Sequence, residues 1–283
     1  MATILVCVYE IKKEGVINLN ILVTLNRNYV TQLIIMLRSL LKSNKGFTFN
    51  VYIAHSSLTS EDFRRIKREE GFENISLIDI PVDKRPLGDA PITERYPEEM
   101  YYRLMAPMYL PKDMDRILYL DPDIVVINSL EKLYNYSFNG NLFVAASHTE
   151  SYLKRTNNID LASEEEKSYI NSGVMLMNLK LLREELNVQE LINYIKANRE
   201  RLWLPDQDII SGVYGKRIKL VDAMKYNLSE RLLVFINIHP QSEVITLDWI
   251  RENTSIIHYC GDNKPWEDNY IGQLDVFYKD LSH

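Results

Sequence analysis

From residue 20 onward, apolar runs of strand length alternate with longer stretches in which apolar residues recur at helical spacing. Asn20 to Leu25 predicts a strand, and Tyr29 to Lys42 a helix whose Leu33, Met36, Leu37, Leu40 and Leu41 fall on one face. Thr48 to Ala54 predicts a second strand. Thr59 to Glu70 predicts a charged surface helix with Thr59 as cap and Asp62 in the capping-box position, and Ile75 to Ile80 a third strand. Strands separated by helices imply right-handed parallel crossovers with ligands at the carboxyl ends of the strands, which puts Asn26 and Asp121 on one rim. Pro81 to Pro97, with four prolines, reads as an irregular loop over that rim, and Pro97 to Leu110 as a helix carrying Tyr101, Tyr102, Arg103 and Met105. No internal repeat, low-complexity stretch or interdomain linker interrupts the pattern. The expected architecture is one α/β domain with a mostly parallel, Rossmann-like central sheet flanked by helices.

Where these strands end, the chemistry begins. The run Arg116-Ile117-Leu118-Tyr119-Leu120 stops at Asp121-Pro122-Asp123, and a second run, Ile124-Val125-Val126-Ile127, comes next. Residues i and i+2 of an extended chain share a side, and Pro122 stiffens the turn, so the two carboxylates converge. Two hard oxygen donors held together suit Mn²⁺ or Mg²⁺, which take one or two protein carboxylates and leave other positions to water and phosphates. An isolated Asp-x-Asp is also what a solvated turn looks like.

Far downstream, the strand-like Ile256-Ile257 leads into His258-Tyr259-Cys260-Gly261-Asp262-Asn263-Lys264-Pro265-Trp266. His258 offers a nitrogen ligand. Gly261 allows a positive φ or a close backbone approach to phosphate, and Lys264 offers a point charge for phosphate oxygens, directed by Pro265 and Trp266. Asn171-Ser172-Gly173 precedes the apolar run Val174 to Met177, and Pro205-Asp206-Gln207-Asp208 opens a helix, where proline and acids also serve ordinary helix-start chemistry.

Taken in order, the opening Asn20 to Tyr29, Tyr102-Arg103-Leu104, Leu118 to Asp123, Asn171 to Val174, Asp206-Gln207-Asp208 and His258 to Trp266 resemble glycosyltransferase family 8, the retaining nucleotide-sugar transferases, over about residues 19 to 270. The resemblance implies a GT-A fold and a metal-dependent hexosyltransferase that moves galactose or glucose from UDP-galactose or UDP-glucose to a saccharide, lipid-linked or protein hydroxyl, in cell-envelope polysaccharide work. It implies metal ligands Asp121, Asp123 and His258. The nucleotide-sugar would be bound by Thr24, Asn26, Asn28, Tyr29, Arg103, Asp121, Pro122, Asp123, Asn171, Ser172, Gly261 and Lys264, with Asp206 at a sugar hydroxyl and Gln207 at the sugar's reactive face. Arg103 has an alternative as a surface ion pair with Glu99, one turn earlier. Asn26 stands where many members carry aspartate, and Ala145 to Glu150 lacks an aspartate found in several lipopolysaccharide-directed relatives, leaving His148 as an acceptor contact or a loop residue.

Composition bounds the alternatives. The chain has 283 residues, 46% hydrophobic and 25% charged, enough for one large core. A net charge of -6, with the densest basic cluster (Arg64, Arg65, Lys67, Arg68) interleaved with acids, argues against nucleic acid as partner. Two cysteines, Cys7 and Cys260, cannot build a disulfide framework and point to a reducing, cytoplasmic setting, with peripheral association at the inner membrane face left open. No run approaches the roughly 18 to 20 apolar residues of a membrane span. Residues 1–18 read as a leader, either not native or poorly packed, with Leu19 where the family's initiator methionine falls and the catalytic domain spanning 19–283. Two other functions stay open: a self-glycosylating or silent nucleotide-sugar-binding protein, given eighteen tyrosines, and a sugar nucleotidyltransferase, disfavoured because Asn26-Arg27-Asn28-Tyr29 lacks a glycine-rich phosphate loop.

Overall fold

The computed structural model describes residues 16–82, 98–147, 168–198, 200, 202, 204–240 and 243–282. Cys7 with most of the expected leader, most of the proline-rich loop, and His148 lie outside the described residues. Nine strands run through the described residues: β1 (Asn18–Thr24), β2 (Thr48–His55), β3 (Ile75–Pro81), β4 (Arg116–Leu120), β5 (Ile124–Val126), β6 (Phe143–Ser147), β7 (Ile170–Asn178), β8 (Ile218–Val221) and β9 (Ile256–His258). Seven form the central sheet in the order β3-β2-β1-β4-β7-β6-β8.

Strict alternation along the central strands divides the core into two layers. Ile21 and Val23 of β1, Leu118 and Leu120 of β4, and Val174 and Leu176 of β7 pack on one side with α1 (Val30–Ser43). Leu22, Ile117, Tyr119, Met175 and Met177 face the other side, against Ile209 and Ile210 of the helix Pro205–Tyr214. On α1, Val30, Leu33, Met36, Leu37 and Leu40 are fully buried, each worth about 1.5–3 kcal/mol of transfer free energy. The helix α2 (Ser60–Lys67) has the expected capping box of Thr59 and Asp62.

The central sheet is mostly parallel, as expected, with β7 antiparallel to both β4 and β6, the one reversed strand of the central sheet among the described residues. Local periodicity encodes a strand but not the direction from which it enters the sheet. One expectation is corrected: the helix expected over 97–110 is three short pieces, α-helix Glu99–Tyr102, a 3₁₀ turn Arg103–Met105 and α-helix Ala106–Tyr109. Pro107 supplies the reason, because it has no N–H to give the Arg103 carbonyl and its ring crowds that carbonyl.

The reversal brings two polar strand ends together. Because β7 opposes β4, its first residues lie beside the end of β4, and Asp121 N–H donates to the Gly173 carbonyl at 2.9 Å. After Asp123 the chain leaves the main sheet, and β5 pairs antiparallel with β9, putting Ile124 opposite His258. Tyr259 N–H closes this second ladder on the Asp123 carbonyl at 3.0 Å. Asp123 and His258, far apart in sequence, thus become neighbours.

Candidate active site

A cavity of about 700 Å³ opens at the carboxyl ends of β1 and β4, within the usual range for small-molecule sites. All the residues expected to hold donor or metal line it: Thr24 at the end of β1 with Asn26, Asn28 and Tyr29 just beyond, Arg103 in the 3₁₀ turn before β4, Asp121 to Asp123 after β4, Asn171 and Ser172 at the start of β7, Asp206 and Gln207 at a helix start, and His258 at the end of β9 with Gly261 and Lys264 beyond it.

Asp121, Asp123 and His258 each offer one ligand atom, and these atoms all lie within 4.8 Å of one another. His258 Nε2 is 3.3 Å from Asp123 Oδ1 and 3.6 Å from Asp121 Oδ2. On the far side of the ring, Nδ1 sits 2.8 Å from Asn227 Oδ1. The space among these groups is kept open by Gly173, where a Cβ would stand 2.2 Å from His258 Cε1 and 2.6 Å from Asp121 Oδ2. Two carboxylates and an imidazole around a gap that a single methyl would fill suit a divalent cation such as Mn²⁺ or Mg²⁺.

Lys264 is not a free charge. Its ammonium donates to Asp123 Oδ2 at 2.6 Å and to the Tyr259 carbonyl at 2.8 Å. Burial would raise the Asp123 carboxyl, but the charges of Lys264 and His258 overcome it and hold the group below the ordinary carboxylate range. The Lys264 ammonium is pushed the other way: burial favours its neutral form, and Asp123 more than restores the charge.

Arg103 occupies the centre of a second network. Its Nη2 reaches Asp121 Oδ1 at 2.9 Å, its Nη1 reaches Asp206 Oδ2 at 3.0 Å and the Ser172 carbonyl at 3.2 Å, and the guanidinium lies 4.3 Å over the Tyr119 ring. The ion pair with Glu99 allowed by helical spacing is not formed, since the 3₁₀ turn rotates Arg103 inward and the Glu99 carboxylate accepts instead from Ser56 Oγ. Ser172 Oγ donates to Asp206 at 2.7 Å. Burial raises the Asp206 carboxyl, and the opposing pull of Arg103 and Ser172 does not cancel it. Gln207 is 3% exposed, and its Nε2 has no hydrogen-bond partner among the described residues.

Two nucleotide-side residues carry local duties as well. Asn26 Oδ1 caps the 3₁₀ turn Arg27–Tyr29 by accepting from Asn28 N–H at 3.0 Å, which leaves the amide NH₂ for a ligand. Thr24 Oγ1 lies 3.0 Å from Tyr119 Oη, which in turn donates to Asp121 Oδ1 at 2.6 Å. Gly261 has φ +85, the left-handed conformation glycine takes without strain. Sequence reasoning missed Tyr119, which it quoted only as part of the apolar run before Asp121, and Asn227, which no local pattern marks. Gly173 stood inside a quoted motif with no role attached.

A family model described as "Glycosyl transferase family 8" matches residues 20–270. The chain belongs to glycosyltransferase family 8. As a member it is a glycosyl-transferring enzyme. A lipopolysaccharide 1,2-glucosyltransferase of Escherichia coli K12 is 26% identical over 265 residues, covering 92% of this chain and 76% of that protein. A lipopolysaccharide 1,3-galactosyltransferase of Salmonella typhimurium LT2 is 27% identical over 255 residues, covering 87% of this chain and 72% of that protein. The galactosyltransferase LgtC, solved with donor and acceptor sugar analogues, superposes with a TM-score of 0.76 at 21% identity, covering 93% of this chain and 95% of that one. That superposition shows the GT-A architecture. No helix among the described residues is long and apolar enough to cross a membrane.

Proposed function

We propose that this family 8 enzyme moves a hexose, galactose or glucose, from a UDP-sugar to a hydroxyl of a saccharide, lipid-linked or protein acceptor, with retention at the anomeric carbon and with Mn²⁺ or Mg²⁺ held by Asp121, Asp123 and His258. The observation that carries this reading is the meeting of those three ligand atoms within 4.8 Å in the lining of the cavity. The glucosyl- and galactosyltransferase names of the relatives support the hexose and a cell-envelope saccharide acceptor. A bound cation would neutralise charge that develops on the departing diphosphate.

The chain's own residues bind and orient. Lys264, which lines the cavity, supplies a point charge for the same diphosphate oxygens once it releases Asp123, and Gly261 lines the cavity with its positive φ. Asp206, Ser172 and Asn171 supply acceptors and donors for sugar hydroxyls, and the free Gln207 Nε2 is a donor for the reactive face. Two routes give retention: a carboxylate nucleophile, or same-face attack. Asp206 is 4% exposed and already engaged by Arg103 and Ser172, and Gln207 is a neutral amide, which supports same-face attack. In that route the bond between the anomeric carbon and the diphosphate oxygen breaks, the acceptor oxygen bonds that carbon from the same face, and the acceptor proton passes to the departing phosphate oxygen.

UDP release from candidate UDP-sugars, measured with and without Mn²⁺ for the native chain and for Asp123→Asn, tests the reading. Metal-dependent release that falls by at least about a hundredfold in the variant is expected. Equal, metal-independent turnover by both would overturn it. Recovery of a glycosylated Asp206 peptide would replace same-face attack with a covalent route.

A further inference from the structure

Asn227 does not line the cavity, yet its side chain grips the ring that does. We propose that Asn227 is a positioning residue that fixes the tautomer and direction of His258, and so sets how tightly the site holds a divalent cation; this rests on the reading of Asp121, Asp123 and His258 as ligands.

Hydrogen-bond chemistry sets the tautomer. The Asn227 carbonyl oxygen can only accept, so at 2.8 Å from His258 Nδ1 it requires that nitrogen to carry the proton. When a cation is bound, the imidazole then presents its lone pair at Nε2, the atom that faces both carboxylates at 3.3 and 3.6 Å. The opposite tautomer would set two lone pairs against each other at Asn227 and point an N–H where the cation belongs. Asn227 and His258 are 6% and 2% exposed, so water does not compete for this bond.

Asn227 is held in place by backbone rather than by chance packing. It closes the helix Ala223–Tyr226, its N–H donating to the Ala223 carbonyl at 2.9 Å. The next residue, Leu228, then lies parallel to β9: its N–H donates to the Ile256 carbonyl at 3.0 Å, and its carbonyl accepts from His258 N–H at 2.8 Å. The side chain of Asn227 is thereby locked against the strand that carries His258. Gly173 bounds the ring on another side, within a space too small for a Cβ. A ligating histidine whose second nitrogen is committed in this way commonly loses 10–100-fold in metal affinity when the partner is removed.

The test compares the native chain with Asn227→Ala, Asn227→Asp and Asp123→Asn, by titration calorimetry with Mn²⁺ alone and by nitrogen-15 NMR of His258 in the Mg²⁺-saturated native chain and Asn227 variants. In the native chain the Nδ1–H tautomer is expected, and Asn227→Asp, which keeps an accepting oxygen, preserves it with Mn²⁺ affinity within about threefold. Asn227→Ala loses the tautomer preference and binds Mn²⁺ about 10–100-fold more weakly. An Nε2–H tautomer in the folded native chain overturns the inference even where Asn227→Ala fails to fold, as does native affinity in a folded Asn227→Ala. If Asp123→Asn binds Mn²⁺ as the native chain does, the ligand assignment itself fails. Sensitivity to Asp123→Asn without sensitivity to Asn227→Ala sinks only the role of Asn227.

Discussion

Lys264 Nζ lies 2.6 Å from Asp123 Oδ2, so the lysine expected to serve the phosphates is the resident counter-ion of a proposed metal ligand. The two residues are 141 apart in sequence and both line the cavity. One charge therefore has two claimants, the carboxylate and an incoming diphosphate.

Removing the lysine charge should separate those duties. Lys264→Met is expected to tighten Mn²⁺ binding in the absence of nucleotide by about tenfold, because Asp123 regains its full charge for the cation. The same variant should lose at least about a hundredfold in turnover, since a donor to the developing phosphate charge is gone. Calorimetry with Mn²⁺ alone, set beside UDP-release kinetics, checks both; weaker metal binding in the variant would contradict the competition.

Gly173→Ala should be selectively harmful. The added methyl would stand 2.2 Å from His258 Cε1, so the ring or Asp121 must shift. Overpacking of this kind costs about 1–3 kcal/mol, and the Mn²⁺ isotherm is expected to flatten while circular dichroism keeps its native shape. A variant that binds Mn²⁺ normally would show that the gap beside the ring is not needed.

Arg103 is 5% exposed and neutralises Asp121 and Asp206 together. Arg103→Met leaves both carboxylates without their shared partner and is expected to lower unfolding free energy by about 3–5 kcal/mol, read from urea denaturation. Adding Asp206→Asn should recover part of that loss, because one of the stranded charges disappears. Strict additivity of the two substitutions would rule out the coupling.

The cap of α2 gives a pH signature. Burial would raise the Asp62 carboxyl, but hydrogen bonds from Thr59 and Arg27 bring it from 3.8 down to about 2. A carboxyl depressed on folding stabilises the native state fully above its unfolded value, and that contribution fades as pH falls from 3.8 through about 2. Asp62→Ala should therefore be about 1 kcal/mol less stable than the native chain at pH 7, with the gap narrowing below pH 4. Denaturation curves at both pH values measure it; a gap that widens in acid would reverse the sign.

Much of this site was legible because its residues sit at the ends of regular elements. Asp121 and Asp123 come after an apolar run that a strand reading ends in the right place, Thr24 sits at the end of another, and Asp206 comes after a helix-starting proline. Arg103 was legible as a motif but not in its contacts, because Pro107 breaks the expected helix and turns the guanidinium inward. Asn227 was invisible, since its partner His258 lies on a different element and neither residue's neighbours in sequence announce the other.

The sequence by itself determined strands β1 to β5, β7 and β9, α1, the capping box of α2 and the polar residues waiting at strand ends, because each depends on neighbours within a few positions and on the period of one element. Only the tertiary structure decided that β7 runs against β4, that β5 pairs with β9, and that Lys264 closes on Asp123. Those outcomes depend on which buried surfaces and backbone ladders satisfy one another across more than a hundred residues, and such pairings leave no local trace.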